Sequence, residues 1–144
     1  MISFENYINE GIVKTVKKDK QRAHSLVIEA ERKISSLNEN IEKVGVKENN
    51  ANDYIEHCYD IIMFLIRAKL FLEGYQCSGQ GAHEAEVSFM TKLGFSEKDI
   101  NFTDKLRYLR NSMLYYGKQL DKEYAEKVIA FTKKNHPKLK AFIK

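Results

Sequence analysis

Ala51-Asn52-Asp53-Tyr54-Ile55-Glu56-His57-Cys58-Tyr59-Asp60-Ile61-Ile62-Met63-Phe64-Leu65-Ile66-Arg67-Ala68-Lys69-Leu70-Phe71-Leu72 is the stretch on which the fold turns. Tyr54, Ile55, Cys58, Ile61, Ile62, Leu65, Ile66, Ala68, Phe71 and Leu72 recur at helical spacing and leave little polar face. A helix of this kind, over about residues 51–75, must be covered on several sides. Its most apolar part, Ile61 to Leu72, is interrupted by Arg67 and Lys69 and is too short to span a bilayer. No membrane role is expected.

What covers that helix can be read on either side of it. Upstream, Ala23, Val27, Ala30, Ile34, Leu37, Ile41 and Val44 alternate spacings of four and three, a heptad seam about three repeats long. Gly45 should stop this helix, of about residues 20–44, and Lys47-Glu48-Asn49-Asn50 reads as an exposed loop. Ser3 is placed to cap a first helix over about residues 4–17. Downstream, Cys77-Ser78-Gly79-Gln80-Gly81 is the clearest loop, followed by a short helix over about 82–93 that ends at Gly94. Ser96-Glu97-Lys98-Asp99 has the form of a capping box and starts a turn of helix. Leu106, Leu109, Met113 and Tyr116 mark another helix, about 103–116, stopped by Gly117. The last helix opens at Asp121, aligns Tyr124, Val128 and Phe131, and is expected to break at Pro137. The predicted fold is all-α, a single up-and-down bundle of four to six helices over residues 1–144.

Composition agrees with a single folded domain. The chain has 144 residues, is 43% hydrophobic and 31% charged, and holds one proline and seven glycines, so long helices are favoured over marked turns. A net charge of +4 permits contact with nucleic acid without requiring it. Cys58 and Cys77 stand nineteen positions apart, which excludes a CxxC zinc site and a disulfide framework and points to a reducing, cytoplasmic compartment. Met1-Ile2-Ser3-Phe4-Glu5-Asn6 meets polar and acidic residues at once, unlike a signal peptide. His24, His57 and His136 lack companions at ligand spacing, so no metal site is expected, and no cofactor motif is present.

The chemistry concentrates in Arg110-Asn111-Ser112-Met113-Leu114-Tyr115-Tyr116-Gly117. A guanidinium near the end of an apolar helix must be paired in the interior, with Asp60 or Glu73 as the expected carboxylates, or face a cleft where anions bind. Before it come Ala68-Lys69-Leu70-Phe71-Leu72-Glu73-Gly74-Tyr75, the glycine loop, Ala82-His83-Glu84-Ala85, and Leu106-Arg107-Tyr108-Leu109-Arg110-Asn111; a closing helix follows from Asp121. This succession resembles the HEPN family, small all-helical proteins named for their occurrence in higher eukaryotes and prokaryotes. The likeness covers about residues 50–135, with the helices over 4–17 and 20–44 packed on that core. The family signature is an arginine, a polar residue, and a histidine after four to six intervening positions. Arg110 and Asn111 match it; where the histidine should stand, the chain has Tyr115, Tyr116 or Gly117.

The resemblance implies a homodimer whose signature helices face each other across a two-fold axis. It also implies RNA or a nucleotide as ligand, with Arg110 stabilising phosphate charge. Active relatives resemble metal-independent endoribonucleases that use the 2′-hydroxyl as nucleophile, and many are toxins paired with a small nucleotidyltransferase partner in toxin–antitoxin modules. A histidine can accept and donate a proton near neutrality, whereas a phenol with its ordinary pKa of about 10 is a poor general base. General acid–base catalysis is worth about 10²–10⁴ in rate, so its loss leaves binding with little turnover. Arg110, Asn111 and Tyr115 are the candidate catalytic residues; Arg110, Tyr116 and His83, the last a candidate for a relocated histidine, are the candidate substrate contacts.

Geometry adds a condition. At roughly 100° per residue, Tyr115 lies about 140° around the helix from Arg110, and Tyr116 about 120° the other way. They can share a site only if the helix ends early or if two subunits build it. Two basic clusters, Lys14-Thr15-Val16-Lys17-Lys18-Asp19-Lys20-Gln21-Arg22 and Lys133, Lys134, Lys138 and Lys140, fit a phosphate backbone or simple solvated faces equally well. A third class of function, an interaction module, would recruit its partner through the seam of residues 23–44 or neutralise a nuclease.

Overall fold

A computed structural model of the chain describes residues 1–143; Lys144, the last residue of the expected domain, lies outside the described residues. Its elements are α1 (Phe4–Asn9), β1 (Val13–Thr15), α2 (Lys20–Val44), α3 (Ala51–Glu73), β2 (Tyr75–Cys77), α4 (Ala82–Ser88), α5 (Glu97–Tyr116) and α6 (Lys122–Ala141), with 3-10 turns at Glu48–Asn50 and Phe89–Thr91. The fold is an all-α bundle with one very small antiparallel sheet.

α3 is the axis. Ile55, Cys58, Ile61, Leu65, Ile66 and Ala68 are wholly buried, because the helix meets α2, α4, α5 and α6 around its circumference. The α2 seam is directed at it: Ala23, Ala30 and Leu37 are buried, and Val27, Ile34 and Ile41 pack against the same core. α2 and α3 run antiparallel, since the Asp19 amide donates to the Phe71 carbonyl at the start of α2 and Lys33 meets Asp60 (3.6 Å) further along. α6 lies beside α3 with its start near Asn52 and its end near Ala68 and Phe71.

Helix ends follow their sequence signals. The side chains of Ser3, Asp19, Ser96 and Asp121 accept the backbone N–H three residues on. Gly117 closes α5 in the left-handed conformation.

Four expectations are corrected. The first helix stops at Asn9 instead of running to residue 17. Beyond Gly11, four of the five residues Ile12-Val13-Lys14-Thr15-Val16 are β-branched, and the strand pairs Val13 with Cys77, Lys14 with Gln76 and Thr15 with Tyr75. The turn of helix at Ser96 and the helix over 103–116 are one continuous α5, because Ile100, Thr103 and Leu106 carry a single buried stripe through the join. The helix over 82–93 is α4 followed by a tighter 3-10 turn. Pro137 does not end α6, which continues to Ala141. The proline removes a donor toward Lys133, on the exposed side, where water can satisfy the freed carbonyl. Leu139 (2% exposed) and Phe142, whose ring lies 6.1 Å from that of Phe95, anchor the far end.

Candidate functional site

Arg110 lies on the side of α5 that faces α3, with its side chain 21% exposed. Its Nη2 is 3.7 Å from Glu56 Oε1, beyond hydrogen-bonding distance, and the Glu56 side chain is itself 39% exposed. The expected partners lie beside other cations: Asp60 is 3.6 Å from Lys33, a similarly long pair, and Glu73 is 2.8 Å from Lys69. The guanidinium carbon sits 5.2 Å from the centroid of the Tyr59 ring, in cation–π range. Two buried donors of this pair, Arg110 Nε and the Tyr59 hydroxyl, have no hydrogen-bond partner among the described residues. Burial pushes the Tyr59 phenol up to about 12, against the pull of Arg110.

Tyr115 and Tyr116 are 76% and 87% exposed at the end of the same helix, with Tyr108 and Leu114 also exposed. Tyr108, Asn111, Ser112 and Tyr115, at i, i+3, i+4 and i+7, form one outward stripe, which is the face opposite Arg110. Because α5 remains helical through Tyr116, neither phenol of one chain can turn back to its own Arg110. Asn111 is half-buried at the edge of the stripe.

The end of α5 is held by residues that the sequence did not single out. Asn52 donates to the Lys118 carbonyl (2.9 Å) and accepts from the Leu120 amide (2.9 Å). Glu48 accepts from the Lys122 amide (3.1 Å), and its backbone carbonyl accepts from Gln119. These contacts clamp the connection after Gly117 to the start of α3, and so fix where the tyrosines emerge.

His83 does not join Arg110. Its Nδ1 is 2.9 Å from Glu86 Oε1, on a carboxylate that also accepts from Arg67 Nε (2.6 Å) and Nη2 (3.0 Å). Glu86 is 3% exposed. Burial opposes its ionisation, but the bonds from His83 and Arg67 outweigh that and hold its carboxyl below the ordinary value. Between the two groups, Arg107 pairs with Asp104 (3.0 Å) and approaches Glu84 (3.8 Å). The signal for Glu86 is its spacing of three from His83, and that for Arg67 is a charge inside the most apolar stretch of α3; nothing in the sequence pointed to Tyr59 or Glu56.

Of the basic clusters, Lys14, Lys17, Lys18 and Lys20 are exposed around β1 and the entry to α2, while Lys140 meets Glu31 (3.5 Å) and Lys138 lies over Phe95. No group of three metal-binding side chains forms among the described residues. No helix among them is long and apolar enough to cross a membrane. The chain matches no protein-family model, and no curated protein or solved structure is significantly similar to it.

Proposed function

We propose that the chain is a HEPN-like homodimer that binds RNA or a nucleotide in an Arg110-lined cleft between subunits, with catalysis weak or absent. The observation that carries this reading is the state of Arg110: a guanidinium 3.7 Å from one partly exposed carboxylate, with a buried Nε that has no partner among the described residues. A phosphate oxygen can replace Glu56 there at little cost, whereas a bidentate internal pair would have to be broken first.

The outward stripe of α5 supplies the rest. Exposed tyrosines clustered on one helix face are unusual for a solitary surface and suit either a second copy or stacked bases. Tyr115 of one subunit can serve the Arg110 site of the other only across a two-fold axis, so the dimer is part of the proposal. Six of the seven seam residues of α2 pack into the core, while Val44 is exposed. A nucleotidyltransferase partner belongs to the toxin–antitoxin form of this reading and would meet the same exposed end of α5.

The test is binding of structured RNA and of nucleotides in excess EDTA, followed by fluorescence anisotropy and gel analysis. Binding by the wild type that is lost in Arg110→Ala, with RNA left intact, supports the proposal. Metal-independent cutting that ends in a cyclic phosphate and disappears in Arg110→Ala would convert it to an active endoribonuclease. Equal binding by both proteins rejects it.

A further inference from the structure

A second polar cleft opens about three turns further along α3, where α2, α3, β2 and α4 meet. Its volume is about 320 Å³, and Arg22, Arg67, Gln76, Cys77, His83 and Glu86 are among its walls. The arrangement is ordered from the inside out. Buried Glu86 takes Nε and Nη2 of Arg67 and Nδ1 of His83. This leaves Arg67 Nη1 without a hydrogen bond among the described residues, and it leaves His83 Nε2 as the ring's outer nitrogen on a half-exposed side chain.

Arg22 completes the ring of donors. Its guanidinium carbon stands 4.4 Å from the Phe71 ring centroid, and no carboxylate lies within ion-pair distance of it among the described residues. The charge balance of the walls is positive: two guanidinium groups face one carboxylate, and the Cys77 thiol, pushed up to about 12 by burial, is neutral. The donors come from three separate helices; Glu86 is the one carboxylate among them, shared by Arg67 and His83, and Arg22 has none among the described residues.

We propose that this cleft is an anion subsite that takes a tetrahedral phosphate or phosphomonoester group between Arg22 and His83. Arg67 and Glu86 act as positioning residues: Glu86 fixes the ring so that Nε2 faces the cleft, and Arg67 keeps Glu86 ionised. The subsite is independent of Arg110, which lies on a different helix and contacts none of these residues. The charged and titratable groups lining the subsite are Arg22 from α2, Arg67 from α3, Cys77 from β2, and His83 and Glu86 from α4; Glu84 is directed toward Arg107.

The test is a titration of the whole protein, labelled with ¹⁵N, using inorganic sulfate, inorganic phosphate and AMP, with adenosine as control; the His83 ring signals are followed by NMR. The expected result is saturable shifts of the His83 ring with all three anions and none with adenosine. Arg22→Ala, at an exposed position that leaves the core intact, is expected to raise the dissociation constant about tenfold or more. Arg110→Ala should leave it unchanged. Phosphate arriving from a nucleotide rather than free in solution would show as tighter binding of AMP than of inorganic phosphate. Unmoved His83 signals, equal affinity in Arg22→Ala, or a loss in Arg110→Ala as large as in Arg22→Ala would overturn the proposal.

Discussion

Arg67 grips Glu86 at both carboxylate oxygens, 2.6 Å from Nε and 3.0 Å from Nη2, across nineteen residues of sequence. The pair ties α4 to the middle of α3 and leaves a charge in a place that water barely reaches. Removing one partner strands the other. Arg67→Ala is expected to cost roughly 3 kcal/mol, toward the lower end for a broken buried pair because the arginine is 27% exposed. Urea denaturation monitored by circular dichroism measures it.

The same carboxylate makes stability sensitive to acid. Glu86 is held below its ordinary value in the fold, so the unfolded chain takes up the proton first as pH falls. Its contribution is therefore complete above the unfolded value of about 4.3 and is lost as pH falls through the lower folded one. Denaturant midpoints measured from pH 7 down to pH 3 should decline more steeply for wild type than for Glu86→Gln.

Gly74 adopts φ +83°, and a Cβ there would stand 2.9 Å from the Val16 carbonyl oxygen. The Gly74 carbonyl also accepts the Val16 amide at 2.8 Å, so this close approach seats the N-terminal arm on the end of α3. Gly74→Ala should cost about 2 kcal/mol, the left-handed penalty plus displacement of the arm. Hydrogen exchange of the Val16 amide should accelerate more than that of amides within α3.

How far the sequence reveals this fold depends on the range of the interactions. The α2 seam, the α3 core and the caps at Ser3, Ser96 and Asp121 are local patterns, and each appears where the spacing places it. The strand Val13–Thr15 also has a local signal, since four β-branched residues among the five after Gly11 favour an extended chain over a helix. Pro137 misleads because its position on the solvent side, set by tertiary packing, decides whether it breaks the helix. At the candidate site, Arg110, Tyr115 and His83 could be named from residue type. Their partners Glu56, Tyr59 and Arg67 sit on another helix, and nothing in the sequence brings these contacts together.

Asn52 fastens the end of α5 by two bonds of 2.9 Å to the backbone of Lys118 and Leu120. Asn52→Ala should cost about 1–3 kcal/mol and weaken ligand binding without touching Arg110, because the tyrosines lose their fixed exit. Exchange at the Leu120 amide and a binding isotherm for the same variant check both parts.

If the outward stripe of α5 is the contact between copies, charge placed on it should separate them. Tyr108→Glu combined with Tyr115→Glu is expected to give a monomer of unchanged helicity by sedimentation velocity, where wild type sediments as a dimer. Monomeric wild type would remove the dimeric part of the proposal.

The central claim is that Arg110 is held ready for a phosphate and is not spent inside the bundle. The most direct measurement is the affinity of wild type and Arg110→Ala for a fluorescent structured RNA in EDTA, with thermal melts run on both. Loss of binding by about tenfold or more in the variant, with its melting temperature nearly unchanged, is the predicted outcome. Equal affinities, or a variant that binds poorly only because it no longer folds, would contradict the account.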